Sequence, residues 1–203
     1  IVRFVLNRKE ISGNLTRCLQ LIDMATTRYG GWAPLKLIVF PEFFLQGWTA
    51  KATMDDYRKE ILITLPGEET DQLGEKARQY GVFIAGASLE YDPHFPALFF
   101  NSAFILNPKG EIIHKYRKIM PYLRAEMATS PHDIYDSYVE VYGKGKSLTE
   151  TFFPVTDTAI GKLGTFICMD GFFPETTRAL VLQGAEILIR PTAFPEPLVS
   201  PPM

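Results

Sequence analysis

The sequence predicts an α/β fold with mixed sheets. Short apolar runs, too brief to be helices, alternate with segments whose apolar residues recur at helical spacing. Two tight turns, Pro108-Lys109-Gly110 and Gly161-Lys162, join neighbouring runs as antiparallel hairpins, so the sheets are not purely parallel. With 203 residues, 46% hydrophobic and 13% aromatic, the chain suits a single domain that buries roughly 70% of its unfolded surface.

Residues 1–6 form a short apolar run and read as the first strand. Asn14 then precedes Leu15, Cys18 or Leu19, Ile22 and Ala25, whose spacing predicts a helix up to Gly30-Gly31. Residues 35–40 are continuously apolar and stopped by Pro41, which suits a strand buried on both faces and completes a βαβ unit. After Pro66-Gly67, the charges of Glu68, Glu69 and Asp71 favour a helix start; Leu73, Ala77 and Tyr80 mark its buried face and Gly81 ends it. Residues 82–89 are the next strand, and 101–107 with 111–116 make the first hairpin. Residues 127–147 are polar and aromatic with little period, and read as a long loop or insertion. Residues 151–155 and 163–168 give the second hairpin, 174–184 a helix that starts on Pro174, and 185–190 a last strand.

The 21 Lys and Arg against 23 Asp and Glu leave a net charge of −2, without the positive excess that nucleic acid or an anionic membrane surface demands. The longest apolar stretches, such as 35–40 and 185–189, fall far short of the ~20 residues of a spanning helix, and no signal segment opens the chain. A cytoplasmic protein is expected, with Cys18 and Cys168 reduced. Cys18 lies on or beside the inward face of the first helix and reads as core packing. The three histidines, His94, His114 and His132, are too scattered to suggest a metal site. The chain opens on Ile1 and closes on a proline-rich run without a terminating element, as a fragment would.

Three residues stand at the ends of three apolar strands, where open sheets place their sites. Cys168 ends a strand and meets a helix at Pro174 through a tight turn, an arrangement that projects a nucleophile and leaves the Met169 backbone N–H to face an oxyanion. By itself a free cysteine is as readily a small buried hydrophobe. Glu42 sits among Phe40, Phe43 and Phe44, where a desolvated carboxylate is tuned for proton transfer, although a lone strand-end glutamate more often reaches solvent. Phe43, Phe44 and Trp48 suit pocket or core equally, with core the commoner role. Among Lys115, Arg117 and Lys118, alternation puts Lys118 on one face with Tyr116 and the other two on the opposite face; a solvated charge run is the ordinary meaning of such a cluster.

In Val39-Phe40-Pro41-Glu42-Phe43, in His114-Lys115-Tyr116-Arg117-Lys118 and in the stretch from Gly161 through Cys168-Met169-Asp170-Gly171 to Glu175, the sequence resembles the nitrilase superfamily, the carbon–nitrogen hydrolases, from Ile1 to about Pro197. The resemblance implies an αββα sandwich that lacks its C-terminal portion, and a Glu42-Lys118-Cys168 triad. Glu126, eight residues after Lys118, matches a second glutamate of aliphatic amidases and formamidases. Cys168-Met169-Asp170-Gly171 resembles the amidase branch rather than the Cys-Trp-Glu of true nitrilases. Hydrolysis of a small amide through a thioester follows, with Lys118 and the Met169 N–H at the oxyanion, Tyr116 supporting from the Lys118 face, no cofactor or metal, and a homo-oligomer. A nitrilase, an N-carbamoyl amide hydrolase and a catalytically inactive binding module on the same fold are the alternatives. A thiol protease is weaker, since no histidine lies in a motif that could pair with Cys168. A protein ending at Met203 is expected to be inactive or poorly soluble, with strand edge and apolar surface exposed.

Overall fold

The computed structural model describes residues 7–29, 31, 33–47, 52–122 and 126–193. The predicted strand at 1–6, the βαβ unit it would open, Trp48 and the proline-rich end lie outside the described residues.

Helix α1 (Arg8–Tyr29) starts earlier than its apolar spacing suggests. Asn7 is the residue that caps it, its side chain accepting from the Glu10 N–H at 3.1 Å. Asn14 is instead inside the helix and donates to the Leu45 carbonyl at 2.8 Å. Ile11, Leu15, Cys18 and Ile22 form the buried stripe. Strand β1 (Leu37–Glu42) is not buried on both faces: Phe40 and Glu42 point inward, while Val39 is 47% exposed. It also runs through Pro41 to Glu42. Among the described residues β1 is an edge strand, and its register shifts between Val39 and Glu42, where proline offers no N–H.

Thr53 and Asp56 form a capping box that opens α2 (Met54–Asp56), which continues as a π-helical turn over Tyr57–Ile61; the sequence reading assigned nothing there. Helix α3 (Glu68–Tyr80) carries Glu68, Glu69 and Asp71 in its first turn and ends on Gly81 at φ 63, the left-handed cap glycine tolerates. Lys76 of α3 reaches Asp23 of α1 at 2.6 Å, so the two helices lie side by side. Strand β2 (Phe83–Glu90) is buried throughout and runs parallel to β1. Strands β3 (Phe100–Leu106) and β4 (Ile112–Arg117) follow antiparallel, giving a sheet in the order β1-β2-β3-β4. Their turn closes with Gly110 at φ 78, its N–H on the Asn107 carbonyl at 2.8 Å.

The predicted loop at 127–147 is largely helical. Ser130 caps a 3-10 turn (Pro131–Ile134) that leads into α4 (Tyr135–Tyr142). Ser147 and Glu150 then form a capping box on α5 (Leu148–Phe152), so residues 151–152 are helix and the strand expected from 151 is β5 (Val155–Thr158). The deciding interactions are tertiary: Tyr138 stacks on Phe152 and on Phe95, and Phe95 meets Phe100 edge-on.

Strand β6 (Gly161–Thr165) pairs antiparallel with β5 and parallel with β7 (Ile187–Ile189), the two parallel strands being linked through α6 (Pro174–Leu182). Both β6 and β7 are shorter than the predicted runs at 163–168 and 185–190. The two sheets pack face to face. Phe83, Ala85 and Ile105 of one share a buried cluster with Leu163 and Ile189 of the other. His114 bridges them, with its ring nitrogens 2.9 Å from the hydroxyls of Thr156 and Thr165. Helices α1 and α3 cover the outer face of the first sheet, and α6 that of the second, where a Cβ on Gly164 would meet Leu180 at 3.2 Å. The layers are therefore α, β, β and α.

Candidate active site

The C-terminal ends of β1, β4 and β6 converge where the two sheets meet. β1 ends on Glu42, followed by Phe43 at φ 57, a left-handed backbone that turns the chain sharply away. The Glu42 carboxylate is buried. One oxygen, Oε1, accepts from Lys118 Nζ and Asn101 Nδ2, both at 2.8 Å; the other, Oε2, accepts from the Ala193 N–H at 2.9 Å.

Lys118 directly follows β4, its N–H on the Asn101 carbonyl at 2.9 Å. Its ammonium, 2% exposed, lies between two carboxylates, Glu42 at 2.8 Å and Glu126 at 2.6 Å. Burial works against that charge, but Glu126 and then Glu42 outweigh it and hold the amine above its ordinary range. Glu126 also accepts from Asn101 Nδ2 at 2.6 Å and from the Tyr122 N–H at 3.0 Å.

Cys168 stands past β6, at the start of a 3-10 turn (Cys168–Phe172), with a backbone φ of 43. Its N–H donates to the Pro191 carbonyl at 3.0 Å, continuing the β6–β7 ladder. Its carbonyl accepts from Arg190 Nε at 3.0 Å and Nη2 at 2.6 Å. Cys168 as a residue is 9% exposed, and its thiol lies 3.9 Å from the Ala193 carbonyl. Burial, with the Glu42 carboxylate adding to it and Lys118 opposing, pushes the thiol up to about 11. At neutral pH it therefore carries its proton and needs a base beside it to become a nucleophile.

The structure thus brings Glu42, Lys118 and Glu126 into direct hydrogen-bond contact and sets Cys168 against Glu42. Met169 is half-buried in the turn after Cys168. Tyr116 does share the inward face with Lys118, but its hydroxyl donates to Asp170 at 2.8 Å, so it acts beneath the site rather than in it. Asp170 also accepts from the Ile167 N–H at 2.9 Å and the Met120 N–H at 2.8 Å, tying the cysteine turn to the segment after Lys118. Phe43 and Phe44 pack in core clusters, and Cys18 is core of α1.

The charge cluster in β4 is not a solvated run. Arg117 is buried, pairing with Glu90 at 2.9 Å and Asp92 at 2.5 Å, with its guanidinium over the rings of Phe100 and Tyr142. Lys115 reaches Glu90 from the same face at 2.6 Å. This network fixes the strand end from which Lys118 emerges. The sequence reading missed Asn101, Arg190 and the Ala193 N–H. None of the three carried a local signal: Asn101 is only one of two adjacent polar residues, with Ser102, near the start of β3. Among the described residues no group of His, Cys, Asp and Glu is arranged to hold a metal ion, and no helix is long and apolar enough to cross a membrane.

Residues 6–201 match the carbon–nitrogen hydrolase family. A formamidase of Bacillus thuringiensis (strain Al Hakam) is 32% identical over 194 residues, covering 95% of this chain and 51% of that protein. The chain therefore spans about half the length of the curated relatives it matches. A carbon–nitrogen hydrolase from Helicobacter pylori G27 superposes with a TM-score of 0.71 at 23% identity, over 91% of this chain and 56% of that one. Saccharomyces cerevisiae Nit3, a member of branch 10 of the nitrilase superfamily, gives a TM-score of 0.68 at 24% identity, over 96% and 64%.

Proposed function

Because the chain belongs to the carbon–nitrogen hydrolase family, we propose that it is part of an amidase, hydrolysing a non-peptide C–N bond of a small amide. The observation that carries this reading is the Lys118 ammonium held between two buried carboxylates, with a protonated thiol against one of them.

Glu42 acts as general base and takes the Cys168 proton as sulfur attacks the amide carbon. The oxyanion that forms is stabilised by Lys118 and the Met169 backbone N–H. Collapse breaks the C–N bond, Glu42 returns the proton to the leaving nitrogen, and ammonia or an amine departs, leaving an acyl thioester on Cys168. Glu42 then removes a proton from water, whose oxygen attacks the thioester; the C–S bond breaks, Glu42 passes that proton to the departing sulfur, and the acid leaves with the thiol and the Glu42 carboxylate restored. Glu126 positions Lys118 and the substrate. The setting in this reading is the cytoplasm, and the assembly a homo-oligomer.

The test is ammonia release by the intact protein that carries this chain, from a panel holding formamide, acetamide and longer amides beside nitriles and N-carbamoyl compounds. Turnover of a short amide is expected, with a matching acyl mass on Cys168. Cys168→Ala should abolish both while leaving the circular dichroism unchanged. A rate unaffected by that substitution overturns the reading, and turnover confined to nitriles or N-carbamoyl compounds moves it to another branch.

A further inference from the structure

Asn101 is the second residue of β3 and touches every charged member of the Glu42–Lys118–Glu126 cluster. Its side-chain nitrogen donates to Glu42 Oε1 at 2.8 Å and to Glu126 Oε1 at 2.6 Å, and its backbone carbonyl accepts the Lys118 N–H at 2.9 Å. The amide orientation follows from chemistry, because the flipped form would set a carbonyl oxygen against two carboxylates. Its Oδ1 is buried without a partner among the described residues. A buried acceptor left unpaired is costly, and the donor end of the same amide is what repays that cost.

We propose that Asn101 is a positioning residue of this site, an uncharged bridge that fixes both carboxylates around Lys118. The inference rests on the amidase reading. Two carboxylates beside one ammonium leave the cluster one negative charge in excess, and each carboxylate has an oxygen facing the other. Lys118 has three N–H donors, two of them committed to Glu42 and Glu126. Asn101 satisfies the facing oxygens, so the third N–H stays available to an oxyanion. It also holds Glu42 by Oε1, while Oε2 is seated on the Ala193 N–H. A cation at position 101 would compete with Lys118 for both carboxylates, and an apolar residue would leave their facing oxygens to draw on Lys118. A neutral double donor meets both conditions.

Two variants test this: Asn101→Leu, which removes both donors but keeps the branching at Cγ, and Asn101→Ser, which is too short to bridge. Each is read by amide turnover and, separately, by the rate at which iodoacetamide alkylates Cys168, with peptide mass distinguishing it from Cys18. For either folded variant, kcat is expected to fall roughly tenfold or more with KM within about threefold, and Cys168 alkylation to slow by a similar factor. A folded variant whose turnover and alkylation both stay within about twofold of the parent overturns the proposal. If Asn101→Leu does not fold, Asn101→Ser decides, and failure of both to fold makes Asn101 structural and overturns it as well. Absence of amide turnover in the intact protein that carries this chain defeats the amidase reading alone, because the alkylation arm still judges Asn101.

Discussion

At Cys168 the backbone φ of 43 crowds any side chain larger than glycine's, a cost of about 1–2 kcal/mol that the surroundings must offset. Part of the offset comes from Arg190, whose two N–H groups grip the Cys168 carbonyl. That grip requires Gly171, where a Cβ would fall 2.4 Å from the guanidinium carbon. Gly171→Ala should therefore swing the flexible Arg190 side chain off the carbonyl without unfolding the protein. The expected loss is about 1–2 kcal/mol in urea unfolding, together with slower amide turnover; unchanged turnover in a variant whose Arg190 has moved would show that the grip is dispensable. At this scale Glu42, Lys118, Cys168 and Glu126 were legible because each sits in a local motif. Asn101 and Arg190 were not, because what they do depends on partners 25 to 59 residues away along the chain for the one and 22 for the other.

Between elements, His114 is the clearest mark of how the sheets are joined. Burial without a charged partner lowers its ring from the ordinary 6.5 to about 4, so it stays neutral while bridging Thr156 and Thr165. Below pH 6.5 the unfolded chain takes up a proton that the folded chain refuses until about pH 4. Stability is thus complete above that window and lost as pH falls through it, by up to about 3 kcal/mol from this group. In urea unfolding at pH 7.5 and 4.5, His114→Gln should narrow the gap between the two pH values by about 2 kcal/mol relative to the parent; an unchanged gap would place the acid sensitivity elsewhere. The strands and the three long helices were legible as elements from period and punctuation, though most of their bounds moved. The strand β1 was misread as doubly buried because a continuous apolar run does not reveal which face is left uncovered, here the face of Val39. Helices α4 and α5 were missed because Tyr138, Tyr142 and Phe152 are ordered by rings from other elements rather than by a strong local stripe.

Across the whole molecule the site is divided between two sheets. Glu42, Asn101 and Lys118 belong to the first, Cys168 to the second, and their separation is set by the packing of the faces between them. Leu163, fully buried against the opposing sheet, is central to that packing. Leu163→Ala is expected to cost about 2–5 kcal/mol in urea unfolding and to lower amide turnover out of proportion to the folded fraction, since the faces settle towards the void. A specific activity per folded molecule equal to the parent's would show that the spacing is set elsewhere. The sandwich as a whole was not deducible from periodicity, which gives strands but not which sheet each joins; it came from the likeness of three separated motifs to a known family. Dividing the site this way has a bearing on synthesis. A chain part-way through folding, with one sheet formed and the other not yet docked, has Glu42 and Lys118 paired on the first sheet but no Cys168 beside them. In the proposed reading, amide turnover therefore arrives last, after the long-range contacts are made, whereas the thiol itself loses its proton more readily before burial than after it.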